Sequence, residues 1–325
     1  MKSLSYLNKY FFKYKWRLLL GVIFTVFSNY FAVKMPIYVK ETIDSFMDNI
    51  NIQGLNDSLI FSLKIGAIYM LFSFGKGLFL FLMRQTIIVV SRFIEFDLKN
   101  EIYKHYQKLD PGFYKKHSTG DLMNRISEDV SKVRMYLGPG IMYSVNLVIL
   151  SSMVIYQMIQ INSILTIYVL LPLPIMSFLI YKVSATMNRL STEVQKEQSM
   201  LSTIAQESFS GIRVLKAYNR EQETNKKFNY STDAYKEKSM KLVLVNALFM
   251  PTILFLIGLS TIISIYVGGN MSFNNEISLG GIVAFIFYVN NLTWPFASIG
   301  WVTSIVQRAS ASQKRIINGW AMSTL

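Results

Sequence analysis

Six stretches of this sequence stay apolar for about twenty residues each, the length a helix needs to cross a hydrocarbon core of roughly 30 Å. The first runs from Leu18 to Val39, and expected spans cover about 17–43, 59–83, 135–156, 163–181, 242–267 and 279–306. Composition agrees. Of the 325 residues, 52% are hydrophobic and only 16% are charged, against about 25% charged in a soluble domain. The expected fold is an all-α membrane protein with six transmembrane helices and two long helical cytoplasmic extensions. There is no cysteine, which excludes disulfides and thiolate metal sites. The two histidines, His105 and His117, have no carboxylate cluster near them in sequence, so no metal centre is expected.

The second span does not end its helical stripe at the membrane. Ile87, Val90, Ile94, Leu98, Ile102, Tyr106 and Leu109 continue it in steps of three and four. Helix from Leu59 to Leu109 would be about 75 Å long at 1.5 Å per residue, so about half of it must project into water. Asp110-Pro111-Gly112 then stops it, because Pro cannot continue a helix and Gly ends one cheaply. Ser118-Thr119-Gly120-Asp121 offers N-cap choices for a return helix carrying Met123, Ile126, Val130, Val133 and Leu137 on one face. The pattern is a long arm, an exposed turn bearing Phe113 and Tyr114, and an arm back. Gln157 to Asn162 reads as a very short connection, and the fourth span passes through Pro172 and Pro174. A second polar excursion fills Lys182 to Lys241. It has its own stripe (Val183, Met187, Leu190, Val194, Leu201, Ala205) and its own turn around Ser208 to Val214.

Charge sets the orientation. The N-terminus and the two excursions, 84–134 and 182–241, hold 26 of the 33 basic residues, while loops 41–57, 157–162 and 268–278 hold none. Excess Lys and Arg mark the cytoplasmic side. Both termini and both excursions are therefore expected in the cytoplasm of a cell-membrane protein. The net charge of +14 is mostly this bias, helped by anionic headgroups, and gives no reason to expect a nucleic-acid partner. The basic start resembles a signal peptide, but its apolar run is too long and no small-residue cleavage site follows.

Polar groups inside spans are costly and functional by default. Lys34 and Lys64 lie near span ends and can snorkel. Lys76 lies deeper, between Gly75 and Gly77, which permit close helix packing. Asn146, Tyr288, Asn290, Asn291 and Trp294 lie near the middle of spans three and six, with Pro295 available to bend the helix. With Lys76 they form a candidate cavity for amphipathic molecules. Interhelical hydrogen bonds, worth about 0.6 kcal/mol each in membranes, account for the same residues equally well.

The motifs at the two turns carry a resemblance. Phe113-Tyr114, Thr119-Gly120-Asp121-Leu122, Asn124-Arg125 and Glu128-Asp129-Val130 are similar to the first intracellular coupling region of ABC exporters. Glu207 to Tyr218 resembles the second such region, and Ala309 to Ile316 resembles the segment leaving the sixth span toward the ATPase domain. The match covers about residues 10 to 316. It implies that Phe113, Tyr114, Lys115, Lys116, Thr119, Gly120, Asp121, Leu122, Ser210, Gly211 and Ile212 couple the membrane part to nucleotide-binding domains. Phe113, Tyr114 and Leu122 would be apolar anchors, and Lys115, Lys116 and Asp121 would set charge register. It also implies a second transmembrane half, in a homodimer or heterodimer of twelve spans. ATP and Mg would be bound by the nucleotide-binding domains, and a cavity would switch from inward-facing to outward-facing.

Within these residues no G-x-x-x-x-G-K-[ST] occurs. Gly75-Lys76-Gly77 lies inside an apolar span, without the strand and loop that a phosphate-cradling motif requires. The expected division is a transmembrane domain over 1–316 and an unrelated tail over 317–325, with the nucleotide-binding domain truncated or on another chain. The alternative reading is a six-span secondary transporter or channel subunit without an ATPase. Against a channel, there is no T-V-G-Y-G filter and no span with a basic residue at every third position. Against a secondary transporter, about 110 residues of cytoplasmic arm would serve no evident purpose. A membrane scaffold, or a half-dimer that blocks its partner, is a third class.

Overall fold

The computed structural model describes residues 2–49 and 55–321, which are helical nearly throughout and contain no strand. Asp48 and Asp57 of the loop over 41–57 have side chains outside the described residues, as do the last residues of the expected tail. A 3-10 turn (Lys2–Leu7) leads into α1 (Asn8–Lys13), α2 (Lys15–Asn49) and α3 (Leu55–Tyr106). The short helices α4 (Pro111–Lys116) and α5 (Thr119–Asn124) form the first turn. The return leg of the arm is α6 (Val130–Met135) and α7 (Ile141–Ile161), with π-helical turns at Arg125–Asp129 and Tyr136–Gly140. Then come α8 (Ser163–Leu170), α9 (Pro172–Ser210), α10 (Ile212–Ala217), α11 (Glu221–Phe273) and α12 (Leu279–Ala321). Among the described residues, six helical stretches are long and apolar enough to cross a membrane. This is a multi-pass membrane protein.

Contacts divide the chain into two units: Met1–Pro172 with Leu259–Leu325, and Leu173–Gly258. In the first, the stripe from Ile87 to Tyr106 is buried throughout, as its spacing predicts. From Val90 onward it packs with Leu122, Val130, Val133, Leu137 and Ile316 into one apolar cluster, while Ile87 packs with Met83 and Met142. At 52 residues, α3 is about 78 Å long; Leu109 falls just beyond it and packs against the same cluster.

Two expectations shift here. Met123, placed on the buried stripe, is 62% exposed, and Leu122 is buried in its stead. The cause is the π turn that follows: its extra residue advances the helix by about 100°, so the step of three and four loses phase. The connection expected over 157–162 also shrinks to Asn162 alone, because α7 continues to bury Met158. Asn162 is extended, and its side chain accepts from the Leu165 amide at 2.9 Å, capping α8.

The basic N-terminal segment packs against the first arm. Leu7 and Tyr10 are buried in the arm's cluster. The Tyr6 and Tyr10 hydroxyls both donate to Glu101, where Lys9 Nζ lies at 2.6 Å. Lys13 and Tyr14 reach Asp97 at 2.7 and 2.8 Å. Burial would raise the Glu101 pKa, but the bonds from Lys9, Tyr10 and Tyr6 outweigh it and hold the carboxyl below its ordinary range. Burial, then Glu101 itself, push Tyr6 and Tyr10 far up. At the other end of α2, Asp44 accepts from Ser278 Oγ at 2.7 Å and from the Gly280 amide at 3.0 Å, capping α12 across the fold. A Cβ at Gly280 would lie 2.4 Å from the Lys40 carbonyl oxygen, so only glycine permits this approach.

In the second unit, Leu190 and Ile204 on α9 are buried and the rest of the expected stripe is half-buried. Lys238 on α11 pairs with Glu197 on α9 at 2.5 Å, and the two helices are joined through α10.

Candidate functional site: two arm tips and a latch

The first tip is built by capping. Asp110 accepts from the Phe113 amide at 2.7 Å with Pro111 at the first helical position, where its missing N–H costs nothing. Ser118 caps α5 by accepting from the Asp121 amide at 3.3 Å. Phe113 rests half-buried on the arm's cluster, its ring stacked on His117 at 4.2 Å. The Tyr114 hydroxyl donates to the Tyr106 carbonyl at 2.5 Å, tying the turn to the end of α3. Lys115, Thr119 and Gly120 are exposed, and the Lys116 side chain lies outside the described residues. Leu122 corrects an expectation. The resemblance implies an apolar anchor here, but at 4% exposure Leu122 faces inward and has no surface to offer a partner.

Asp121 also has a different immediate use. One carboxylate oxygen lies 2.7 Å from Arg125 and the other 2.8 Å from Arg315 on α12. Burial would raise its pKa, but the two guanidinium groups together outweigh that and hold it below its ordinary value. Two turns on, buried Asp129 accepts from Ser312 Oγ at 2.8 Å, with Arg315 Nη1 at 3.4 Å from its other oxygen. Arg125 donates to the Arg315 carbonyl at 3.3 Å. The π turn aims Asp129 at α12, since an ordinary α turn would rotate it away. Together these groups latch the sixth helix to the first arm. Sequence reading missed the latch, although the signal existed in an acid pair eight residues apart and a Ser-Gln-Lys-Arg run near the chain end.

The second tip differs in character. Its chain turns through Gly211, whose amide donates to the Glu207 carbonyl at 2.9 Å, and then through α10. Asn219 reverses it with φ 52°, a left-handed conformation that Asn tolerates better than most residues. Ser210 and Ile212 are exposed and Gly211 is half-buried. Beside them Phe209 and Tyr218 are each 75% exposed, and Val214 is also open. Glu207, Leu215, Tyr218 and Arg220 border a shallow recess here. None of Phe209, Val214 or Tyr218 was singled out from sequence, although all three lie in the motif.

The candidate cavity residues do not form one set. Tyr288 is fully buried and its hydroxyl donates to the Val33 carbonyl at 3.0 Å, so it joins α12 to α2 and lines nothing. Asn290 is exposed but donates to the Ile286 carbonyl of its own helix. Trp294 is exposed, while Asn291, Asn146 and Lys76 are half-buried. A Cβ at Gly75 would touch the Phe31 ring at 3.2 Å, so this part of α3 packs closely on α2. Gly75-Lys76-Gly77 lies in the unbroken interior of α3, where backbone N–H groups bond within the helix and none is free to cradle a phosphate. The residues present here do not fit a nucleotide. Among the described residues no group of three His, Asp or Glu could hold a metal ion.

Six apolar helical stretches, with short helices at both turns, define a multi-pass membrane protein. Comparison with known proteins names the class. The model for the ABC transporter transmembrane region matches residues 18–296, and the chain belongs to that family. The multidrug resistance-like ATP-binding protein MdlA of Buchnera aphidicola subsp. Baizongia pistaciae (strain Bp) is 36% identical over 220 residues, 67% of this chain and 38% of that protein. The probable multidrug resistance ABC transporter ATP-binding/permease protein YheI of Bacillus subtilis (strain 168) is 33% identical over 220 residues, again 67% and 38%. MdlA of Escherichia coli (strain K12) is 31% identical over 221 residues, 68% of this chain and 38% of that protein. The chain spans about half the length of its curated relatives or less.

Proposed function

We propose that this chain forms the membrane half of an ATP-driven exporter, pairing with a second such half to enclose a path for amphipathic molecules. The nucleotide-binding domains, with ATP and Mg, work on the cytoplasmic side against the two arm tips. Relatives carry ATP-binding and multidrug-resistance names, which supports the substrate class and the coupling. The observation that carries the reading is the second tip: Phe209 and Tyr218 stand bare where α9 turns into α10, well beyond the expected fourth span at 163–181. Exposed aromatics of this kind are typical anchors for a partner's pocket, and a free-standing channel or secondary transporter has no use for them.

The latch gives the coupling a route. Movement of the first tip pulls on α12 through Asp121, Asp129 and Arg315, and α12 is itself the sixth span. Gln313 is fully buried with neither amide atom hydrogen-bonded among the described residues. Leaving such a group unsatisfied costs about 1–3 kcal/mol, so this register of α12 carries a cost that a second arrangement can relieve. That suits a helix with two working positions.

Orientation is the first test. The chain has no cysteine, so single substitutions give a clean background. Gln160→Cys and Asn274→Cys should react with a membrane-impermeant thiol reagent added outside intact cells, and Ser118→Cys and Ser210→Cys only after the cells are opened. Reaction at position 118 or 210 from outside would put the arms on the wrong face and end the exporter reading.

A further inference from the structure

A recess of about 420 Å³ opens where α3, the second π turn, α7 and α12 meet, lined by Arg84, Gln85, Pro139, Met142, Tyr143 and Trp301 among others. It is separate from the cavity residues chosen from sequence and from both tips. Its volume falls in the usual range for a small-molecule site. One wall is cationic and polar. Arg84 is exposed and, among the described residues, no carboxylate pairs with it. Arg92 and Arg134, further along the arm, both use Glu95. The other wall is aromatic and apolar: Tyr143 meets Trp301 edge to face at 5.4 Å above Met142.

The recess owes its shape to the π turn at Tyr136–Gly140. Pro139 has no N–H to give to an α ladder, so the helix widens there. Gly138 then lets the widened turn approach α3 so closely that a Cβ would lie 2.6 Å from Ser91 Oγ. Single π turns inside α-helices recur at functional sites. The level is also informative. Arg84 directly follows the expected second span, and at Gly21, near the start of the expected first span, an added Cβ would lie only 2.5 Å from the Ile87 side chain. The recess therefore lies at the headgroup boundary on the side of the arms.

We propose that this recess binds an anionic amphiphile, its phosphate held by Arg84 with Gln85 and its chain laid along Tyr143 and Trp301. A guanidinium without a carboxylate at the headgroup level is suited to a phosphate, which it can bind through two parallel N–H···O bonds. The apolar wall excludes a bare inorganic ion as the intended occupant. Two sources share this chemistry: a resident phospholipid of the bilayer, and an acidic amphiphile arriving as cargo. The site does not depend on the transport reading, since a resident lipid would occupy it whether or not the chain is driven by ATP.

The test uses the whole chain in phosphatidylcholine nanodiscs with Trp16, Trp294 and Trp320 replaced by Phe, leaving Trp301 as the reporter. Dodecyl phosphate should change its emission saturably. Arg84→Gln should weaken that response about ten-fold or more, as loss of a charge-assisted contact does. Arg84→Lys, which keeps the charge but not the two-pronged contact, should weaken it less than Arg84→Gln does, and equal thermal midpoints would show that all three proteins are folded. Inorganic phosphate should produce no response. An unchanged response in Arg84→Gln, or an equal one from inorganic phosphate, would overturn the proposal. Adding phosphatidylglycerol to the nanodisc separates the sources: displacement of dodecyl phosphate assigns the site to bilayer lipid, and undisturbed binding assigns it to acidic cargo.

Discussion

Replacing Phe209 and Tyr218 with alanine is expected to uncouple the assembled transporter while leaving this chain folded. Each buried aromatic anchor is worth about 2 kcal/mol or more in an interface, so either change alone should weaken docking of the nucleotide-binding domain by about 30-fold. In this chain both rings are exposed, and surface substitutions usually stay within about 0.5 kcal/mol in stability. Substrate-stimulated ATP hydrolysis in the assembly should collapse, with normal expression and an unshifted thermal midpoint. Phe113→Ala is a less clean experiment. Its ring supports the arm's cluster and stacks on His117, so losing it disturbs the fold as well as any contact. Wild-type coupling in the Phe209 and Tyr218 double variant would remove the second tip from the mechanism.

The latch should be measurable on its own. Asp129→Ala removes a buried acceptor from Ser312 and a partner from Arg315, and is expected to cost about 2 kcal/mol of stability. Ser312→Ala should cost about 1 kcal/mol, and the double variant should lose about 1 kcal/mol less than the sum of the two, because the pair shares one bond. Hydrogen exchange should rise together in 119–135 and 305–316 and stay unchanged around Asp44. Strict additivity, or exchange that rises in one segment alone, would mean that the helices are not tied there. Arg315→Ala should cost about 1–3 kcal/mol, because besides its half-exposed pair with Asp121 it removes a cation from buried Asp129.

Much of this architecture is legible in the residues, and the reasons differ from place to place. The arm stripe from Ile87 to Ile102 is readable because two helices packing side by side demand an apolar residue at every third or fourth position, whatever surrounds them. The caps at Asp110 and Ser118 are readable because their chemistry is local. Polar groups facing inward are not. Nothing in the local sequence distinguishes Tyr288 lining a cavity from Tyr288 donating to Val33 across 255 positions, and the same holds for Asp121 and Arg315. Met123 misled because a π turn shifts phase without any signature but its neighbours. The N-terminal segment was legible in part: Leu7, Tyr10 and Tyr14 keep helical spacing, and Asp97 and Glu101 stand one turn apart to receive it. Its positive charge, read as a topology signal, masked the amphipathic pattern.

The central claim is that the arms meet a nucleotide-binding domain, and photo-crosslinking tests it most directly. A benzophenone amino acid is placed at Tyr218, or at Tyr266 on α11 as the control, which is equally exposed but lies within the expected fifth span. Each protein is illuminated in intact membranes, and the captured partners are sequenced. The account predicts peptides of an ATP-binding domain joined to position 218 and none joined to position 266. Lipid alone at both positions, or an ATP-binding domain captured only at 266, would contradict it.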